Sequence, residues 1–261
     1  ATFTGAIDAN RIKFATAATS TANFGAVNLA ALLVSDGGAG KGIANFAGTG
    51  INADVGAVGA RLAQANFAAG QVSAINANVY ADAIAVDGKL TLTKDATFDG
   101  AATINNGAIL ALGAHDLTLT GGAVALNGNS TISTTINGVD LGNLVAGAGS
   151  NITLNGNLSV EVDAMAAVPV NGQKVTLIQK NGGILNLALA KITVTKNGGA
   201  FAKWRDEIAA DGSLILTNEA QIAEVIRDAA VSQGLEDVIT EEVAQAFEDF
   251  EPGTQGNDIV N

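Results

Sequence analysis

The chain has one histidine, His115, and no cysteine. Nucleophilic hydrolysis of the Ser-His-acid type needs a histidine base, so His115 is its one candidate. It lies in Gly113-Ala114-His115-Asp116, which reads as a turn, and no Gly-x-Ser-x-Gly motif occurs anywhere. His115 is therefore expected to be a solvated turn residue. A zinc site would have to rest on carboxylates and a single imidazole, which zinc rarely accepts, and without cysteine there is neither thiolate chemistry nor a disulfide staple. No catalytic or cofactor-binding residue is predicted.

Two carboxylate pairs remain, Glu161/Asp163 and Asp206/Glu207. Residues two apart on a strand face the same side, so Glu161 and Asp163 share an environment of the kind that polysaccharide cleavage requires. An exposed strand face accounts for them as simply, and the repeats carry no cluster of acids. Calcium is the single metal left open; the chain holds no Asp-x-[Asp/Asn]-x-[Asp/Asn]-Gly loop. Asn129-Ser130-Thr131, Asn151-Ile152-Thr153 and Asn157-Leu158-Ser159 match the glycosylation triplet, but a strand reading suffices for each. Trp204, between Lys203 and Arg205, is the one aromatic-basic cluster and is expected to clasp a structural cap.

What must position these residues is a repeat. Ala1-Thr2-Phe3-Thr4-Gly5 is echoed by Ala22-Asn23-Phe24-Gly25, Ala44-Asn45-Phe46-Ala47-Gly48, Ala65-Asn66-Phe67-Ala68-Ala69-Gly70 and Ala96-Thr97-Phe98-Asp99-Gly100. The phenylalanines recur at steps of about 21, 22, 21 and 31, a near-constant period that marks a solenoid. Each period holds three short apolar-alternating segments and three turns, as in Ala96 to Asp99, Ala102 to Ile104 and Ile109 to Leu112. That is one coil of a parallel β-helix, with about 21–22 residues per coil. Stacked coils pair their amides above and below and join their inward side chains into one core. Phe3, Phe24, Phe46 and Phe67 are predicted to stack along it, with Phe98 resuming the stack after an outward loop or enlarged coil at Asn76 to Asp87. The frame continues with Leu117 to Gly121, and Asn151 to Leu154 repeats Asn129 to Ile132 one period later.

Seven Asn-Gly pairs, at 106, 127, 137, 155, 171, 181 and 197, mark turns, since both residues tolerate positive φ. Asparagines stacked at equivalent turns of successive coils are expected to form side-chain ladders.

The repeat region is assigned to residues 1–157. Over 158–217 the frame fades into longer alternating strands, Leu158 to Asp163, Lys174 to Ile178, Lys191 to Thr195 and Ser213 to Leu216, which read as antiparallel hairpins. Such a segment would cap the open strand edges of a solenoid. The Gly- and Asn-rich coils, followed by Asn157-Leu158-Ser159-Val160-Glu161-Val162 and Gly172-Gln173-Lys174-Val175-Thr176-Leu177-Ile178, resemble the C-terminal part of autotransporter passengers, most closely the rickettsial outer-membrane surface antigens. The resemblance covers roughly residues 1–217. It implies a right-handed β-helix, a hairpin cap that assists folding outside the cell, and a following β-barrel, not in this sequence, that anchors the passenger in the outer membrane.

The net charge of −12 is uneven. Glu219 to Glu251 carries ten acids against one base, Arg227, whereas the chain before Glu219 carries fourteen acids and twelve bases. Nucleic acid is excluded as a partner, because phosphate binding needs clustered Lys and Arg. In residues 218–251, Asn218 and Glu219 precede Ile222, Val225, Ile226 and Ala229 at helical spacing. A second amphipathic helix follows with Val243, Phe247 and Phe250, and residues 252–261 form a flexible tail. The apolar faces made by Ile222, Val225, Ile226, Val243, Phe247 and Phe250 are expected to fold back on the cap or to dock on a partner. There is no run of about eighteen apolar residues and no basic-then-apolar leader, so the sequence reads as a fragment or a mature segment; if it is exported, the signal lies outside it. The expectation is a non-enzymatic bacterial cell-surface stalk for adhesion or a surface coat, outside the cell, with a host-cell protein or a second copy as partner. The alternatives are a self-assembling filament or S-layer subunit and, least favoured, a carbohydrate-active β-helix.

Overall fold

Parallel pairing of short strands across successive coils accounts for almost the whole architecture. The computed structural model describes residues 1–5, 7, 9–15, 20–36, 38–137, 140–165, 171–198 and 202–220. Among these, strands alternate with tight turns, and the one helical element is a single 3₁₀ turn at Leu189–Lys191. The predicted helices and flexible tail, with Ile222, Val225, Ile226, Val243, Phe247 and Phe250, lie outside the described residues.

Each coil visits three faces. The first is built from Thr2–Phe3, Thr21–Phe24, Ile43–Phe46, Leu62–Phe67, the C-terminal parts of Val79–Val86 and Ala96–Ile104, then Ala123–Leu126, Asn151–Leu154 and Ile184–Asn186. The second face runs from Asn28–Leu29 and Gly50–Ile51 through Val72–Ile75, Lys89–Leu92, Ile109–Gly113, Asn129–Asn137 and Asn157–Met165 to Ile192–Asn197. The third holds Arg11–Phe14, Leu32–Ser35, the Val55 bridge, Val79 and Tyr80, Ala96 to Asp99, Leu117–Thr120, Leu144–Ala146 and the end of Lys174–Lys180.

The alternation in each segment decides what goes inward. In Thr21–Phe24, Ala22 and Phe24 are buried while Thr21 and Asn23 are exposed, as a period-2 strand over a core requires. The inward first-face column runs in register through Phe3, Phe24, Phe46, Phe67, Val86, Ile104, Leu126 and Leu154. Its aromatic part is a ring stack with centroids 5.1, 5.4 and 5.3 Å apart, close to the spacing of neighbouring strands. The rings lie within the distances that favour aromatic pairs.

Phe98 joins this stack from another face. Its ring lies 6.1 Å from that of Phe67 at an interplanar angle of 8°, yet its backbone pairs with Val79 and Leu119 on the third face. The first-face residue above Phe67 is Val86, whose smaller side chain leaves axial space that the Phe98 ring occupies. The outward loop or enlarged coil expected at Asn76 to Asp87 is thereby corrected on both counts, since Phe67 pairs with Val86 one short coil later. Val79, Ala81, Ile84 and Val86 are all at most 1% exposed and form an ordinary rung. The long step from Phe67 to Phe98 is one short coil, Phe67 to Val86, followed by the run that leaves the first face and crosses the second to reach the third.

Coil length is less uniform than the repeat phrase implies. Asn151–Leu154 pairs with Ala123–Leu126, and Asn129 pairs with Asn157 rather than with Asn151 as the repeat frame predicts. The added length is an excursion in which Asn129–Asn137 turns back antiparallel onto Asp140–Leu141. Ile136 and Leu141 are 2% and 5% exposed and belong to the core.

The segment expected to be all hairpins continues the solenoid. Asn157–Met165 pairs in parallel with the strands before and after it, and Ile184–Asn186 pairs in parallel with Asn151–Leu154. Among the described residues of this segment, antiparallel pairing is confined to Leu214–Asn218, which joins Lys174–Lys180 to Trp204–Ile208. An alternating strand bounded by Asn-Gly turns has the same pattern whether its neighbour is parallel or antiparallel, which is why local sequence misassigns it.

Candidate functional site

The solenoid turns its alternating polar positions outward on three faces, and every chemically capable side chain identified above sits on one of them or at its end. The carboxylate pair lies on the second face. Glu161 and Asp163 alternate with buried Val160 and Val162, so they do share a side. Asp163 accepts hydrogen bonds from the Ser133 hydroxyl one rung below and from the Lys196 ammonium one rung above. Partial burial raises the Asp163 carboxyl, but the bonds from Lys196 and Ser133 and the charges of Lys196 and Lys89 outweigh it, and the group ends below its ordinary value. Lys196 is raised in return, first by its hydrogen bond to Asp163. A carboxyl held ionised by a fixed lysine is poorly matched to donating a proton near neutral pH.

The second pair separates. Asp206 and Glu207 are consecutive on Trp204–Ile208 and so point to opposite sides. Glu207 accepts from Lys174 Nζ at 2.6 Å and from Arg205 Nη2 at 3.0 Å, while Arg205 Nε also bonds Glu219. The Lys174 bond is the main cause holding the Glu207 carboxyl below its ordinary value. This network ties together the strands of the terminal hairpin. Trp204, 5% exposed, packs inward beneath it. His115 sits in its predicted turn with Nδ1 3.6 Å from Asp95 Oδ1, and both are solvated.

Two features were not identified from sequence. On the third face, Tyr80, Asp99 and Thr120 stand in register on consecutive rungs. Asp99 pairs with Arg61 and accepts from Thr120 Oγ1 at 3.2 Å. Burial, then the nearby charges of Asp54 and Asp99, raises the Tyr80 phenol. Only the third-face register reveals this column, because the residues have no common spacing in sequence. Thr49, fully buried, bonds to the Gly25 carbonyl at 2.7 Å and approaches that of Phe24 at 3.0 Å, locking the corner between the first and second faces.

Asparagine ladders are present, but they run mostly along strands and not at the expected turns, where Asn127 and Asn155 form the step between Asn-Gly pairs. Asn45 Nδ2 donates to Asn23 Oδ1 and Asn66 Nδ2 to Asn45 Oδ1, both at 2.7 Å. Further steps join Asn76 to Asn52, Asn155 to Asn127, Asn157 to Asn129 and Asn186 to Asn151, at 2.8 to 3.1 Å. Asn129, Asn151 and Asn157, the asparagines of the three glycosylation triplets, are thus strand residues in ladders. Of the predicted core stack, Phe3, Phe24, Phe46, Phe67 and Phe98 all come together.

A groove of about 280 Å³ is lined by Thr4, Gly5, Ile7, Ala26, Val27 and Asn28, none of which titrates. Among the described residues no three His, Asp or Glu side chains converge in a group that would hold a metal ion, and no helix is long and apolar enough to cross a membrane. No protein-family model matches the chain, and none of the curated proteins or solved structures compared with it does so either.

Proposed function

We propose that the chain is a non-enzymatic bacterial cell-surface protein, a right-handed parallel β-helix of the autotransporter-passenger kind that serves as a stalk in adhesion or in a surface coat. The observation that carries this reading is how the ionisable side chains are used. Asp163, Glu207, Asp99 and Lys174 are each engaged in ion pairs that bridge rungs or hairpin strands, so the charges on the faces serve the scaffold. A long surface of this kind offers a partner area and repetition rather than a reactive centre. The terminal antiparallel hairpin supports the same reading, because it covers one strand edge of the stack with a differently built element.

The test is surface labelling. Antibodies raised against residues 1–137 should stain intact, unpermeabilised bacteria that carry the gene, and the same antibodies should reduce their adherence to host cells. Staining only after permeabilisation would overturn the surface assignment. Cleavage of any member of a polysaccharide panel by the purified chain, abolished by Glu161→Gln, would overturn the non-enzymatic one.

A further inference from the structure

Asn-Gly pairs carry a chemistry of their own. The glycine amide nitrogen can attack the preceding carboxamide carbon, because no Cβ shields it. The N–Cγ bond forms, the carboxamide C–N bond breaks and ammonia leaves. Water then opens the five-membered imide at either carbonyl, giving aspartate or an isoaspartyl linkage. The reaction needs no catalyst, but it needs both groups released: a carboxamide free to rotate and a glycine N–H free of a hydrogen bond.

The described Asn-Gly pairs differ on this point. At Asn106-Gly107 both groups are engaged: Asn106 Oδ1 accepts from the Asn129 amide at 2.9 Å and Gly107 N donates to Asn129 O at 3.3 Å. At Asn127-Gly128 and Asn155-Gly156 the carboxamides hold one another, Asn155 Nδ2 to Asn127 Oδ1 at 2.9 Å. At Asn171-Gly172 the glycine amide donates to Asn218 O at 2.8 Å. At Asn181-Gly182 both residues are exposed, and among the described residues neither the Asn181 carboxamide nor the Gly182 N–H makes a hydrogen bond. The turn is nonetheless fixed in place, since the amides of Asn181 and Gly183 both donate to Ala146 O, at 2.9 and 3.1 Å.

We infer that Asn181 is a site of spontaneous deamidation in the folded protein, reacting ahead of Asn106, Asn127, Asn155 and Asn171. Each of those four must first give up at least one hydrogen bond, which slows it by roughly fivefold to tenfold per bond. The product places a carboxylate beside Lys180, and the isoaspartyl form adds a backbone atom between the two amides that share Ala146 O.

The experiment is peptide mapping by mass spectrometry of the full chain aged at mildly alkaline pH, once folded and once in concentrated urea. In the folded protein, conversion at Asn181 should lead the other four sites by roughly tenfold, and in urea the five rates should converge. Equal rates in the folded protein, or any of the four overtaking Asn181, would overturn the inference. So would a lead for Asn181 that persists in urea, since the preference would then be local sequence and not the fold.

Discussion

At the scale of single residues, the asparagine ladder on the first face stops one rung early. Among the described residues Asn66 Oδ1 is buried without a hydrogen-bond partner, because the residue in register above it is Ala85. A buried acceptor left unmet costs about 1–3 kcal/mol. Ala85→Asn should supply the missing donor in the direction already set by Asn45 and Asn66, and Thr103 stands in register beyond it. Urea denaturation of this variant should show a gain of about 1 kcal/mol; a loss would mean that the ladder stops at Asn66 for steric reasons. A second residue-scale expectation concerns acid. The Asp163 carboxyl is depressed below its ordinary 3.8, so its ion pair stabilises the fold above that pH, and the contribution is lost as pH falls through the folded value. Asp163→Asn should therefore lower the urea midpoint at neutral pH, with the difference from the parent closing as pH drops below 3.8. A difference that is constant with pH would show that Ser133 and Lys196 make no use of the charge.

At the scale of elements, each rung corner depends on how closely two backbones approach. Gly100 turns the chain from the third face to the first at φ +148°, and a Cβ there would lie 1.7 Å from Ala81 O on the rung below. Gly100→Ala should cost at least about 2 kcal/mol, from backbone strain and from the shift needed to clear that oxygen. Thermal unfolding reads it, and an unchanged melting point would mean that the corner is soft. The same elements show what was legible beforehand. Four phenylalanines at near-constant spacing revealed the stacked coil and its inward column, because an aromatic side chain in an alanine-rich strand can point only one way. Several Asn-Gly turns were legible for a local reason, since the glycine takes positive φ at Gly107, Gly128, Gly172, Gly182 and Gly198, whereas the strand ladders depend on which asparagines the rung register brings together. The course of Asn76 to Asp87 was not. There the chain passes from third face to first at Tyr80 and Ala81 without a turn signal, and the next phenylalanine lies on a different face. Register beyond Leu126 was also hidden, because the excursion through Ile136 and Leu141 lengthens the coil without altering the strand pattern on either side. Parallel and antiparallel neighbours, finally, look alike to a strand such as Leu158 to Asp163, since pairing direction is a long-range property.

At the scale of the whole molecule, each coil contacts only its neighbours, so stability is a sum of local terms and the ends matter disproportionately. The hairpin of Trp204–Ile208 and Leu214–Asn218 covers the edge of Lys174–Lys180 and buries Trp204, Leu214 and Leu216. Deleting residues 204–218 should leave the preceding coils paired but expose that edge together with Val175 and Ile178. Light scattering should then show concentration-dependent association, and limited proteolysis should begin in the Lys174–Lys180 strand. A variant that stays monomeric and as protease-resistant as the parent would show that the hairpin is dispensable.

The stacking direction has a mechanical corollary. The hydrogen bonds between coils run along the stack, whereas the covalent chain runs across it. Tension applied between the two ends therefore loads one inter-coil seam at a time. Its three faces open together, and a freed coil releases roughly 60 Å of chain where the rungs are 18 residues apart and roughly 110 Å where they are 33 apart before the next seam takes the load. Such an object yields in instalments and re-forms from whatever coils remain, behaving under a pull as a shock absorber whose step lengthens toward the C-terminal coils.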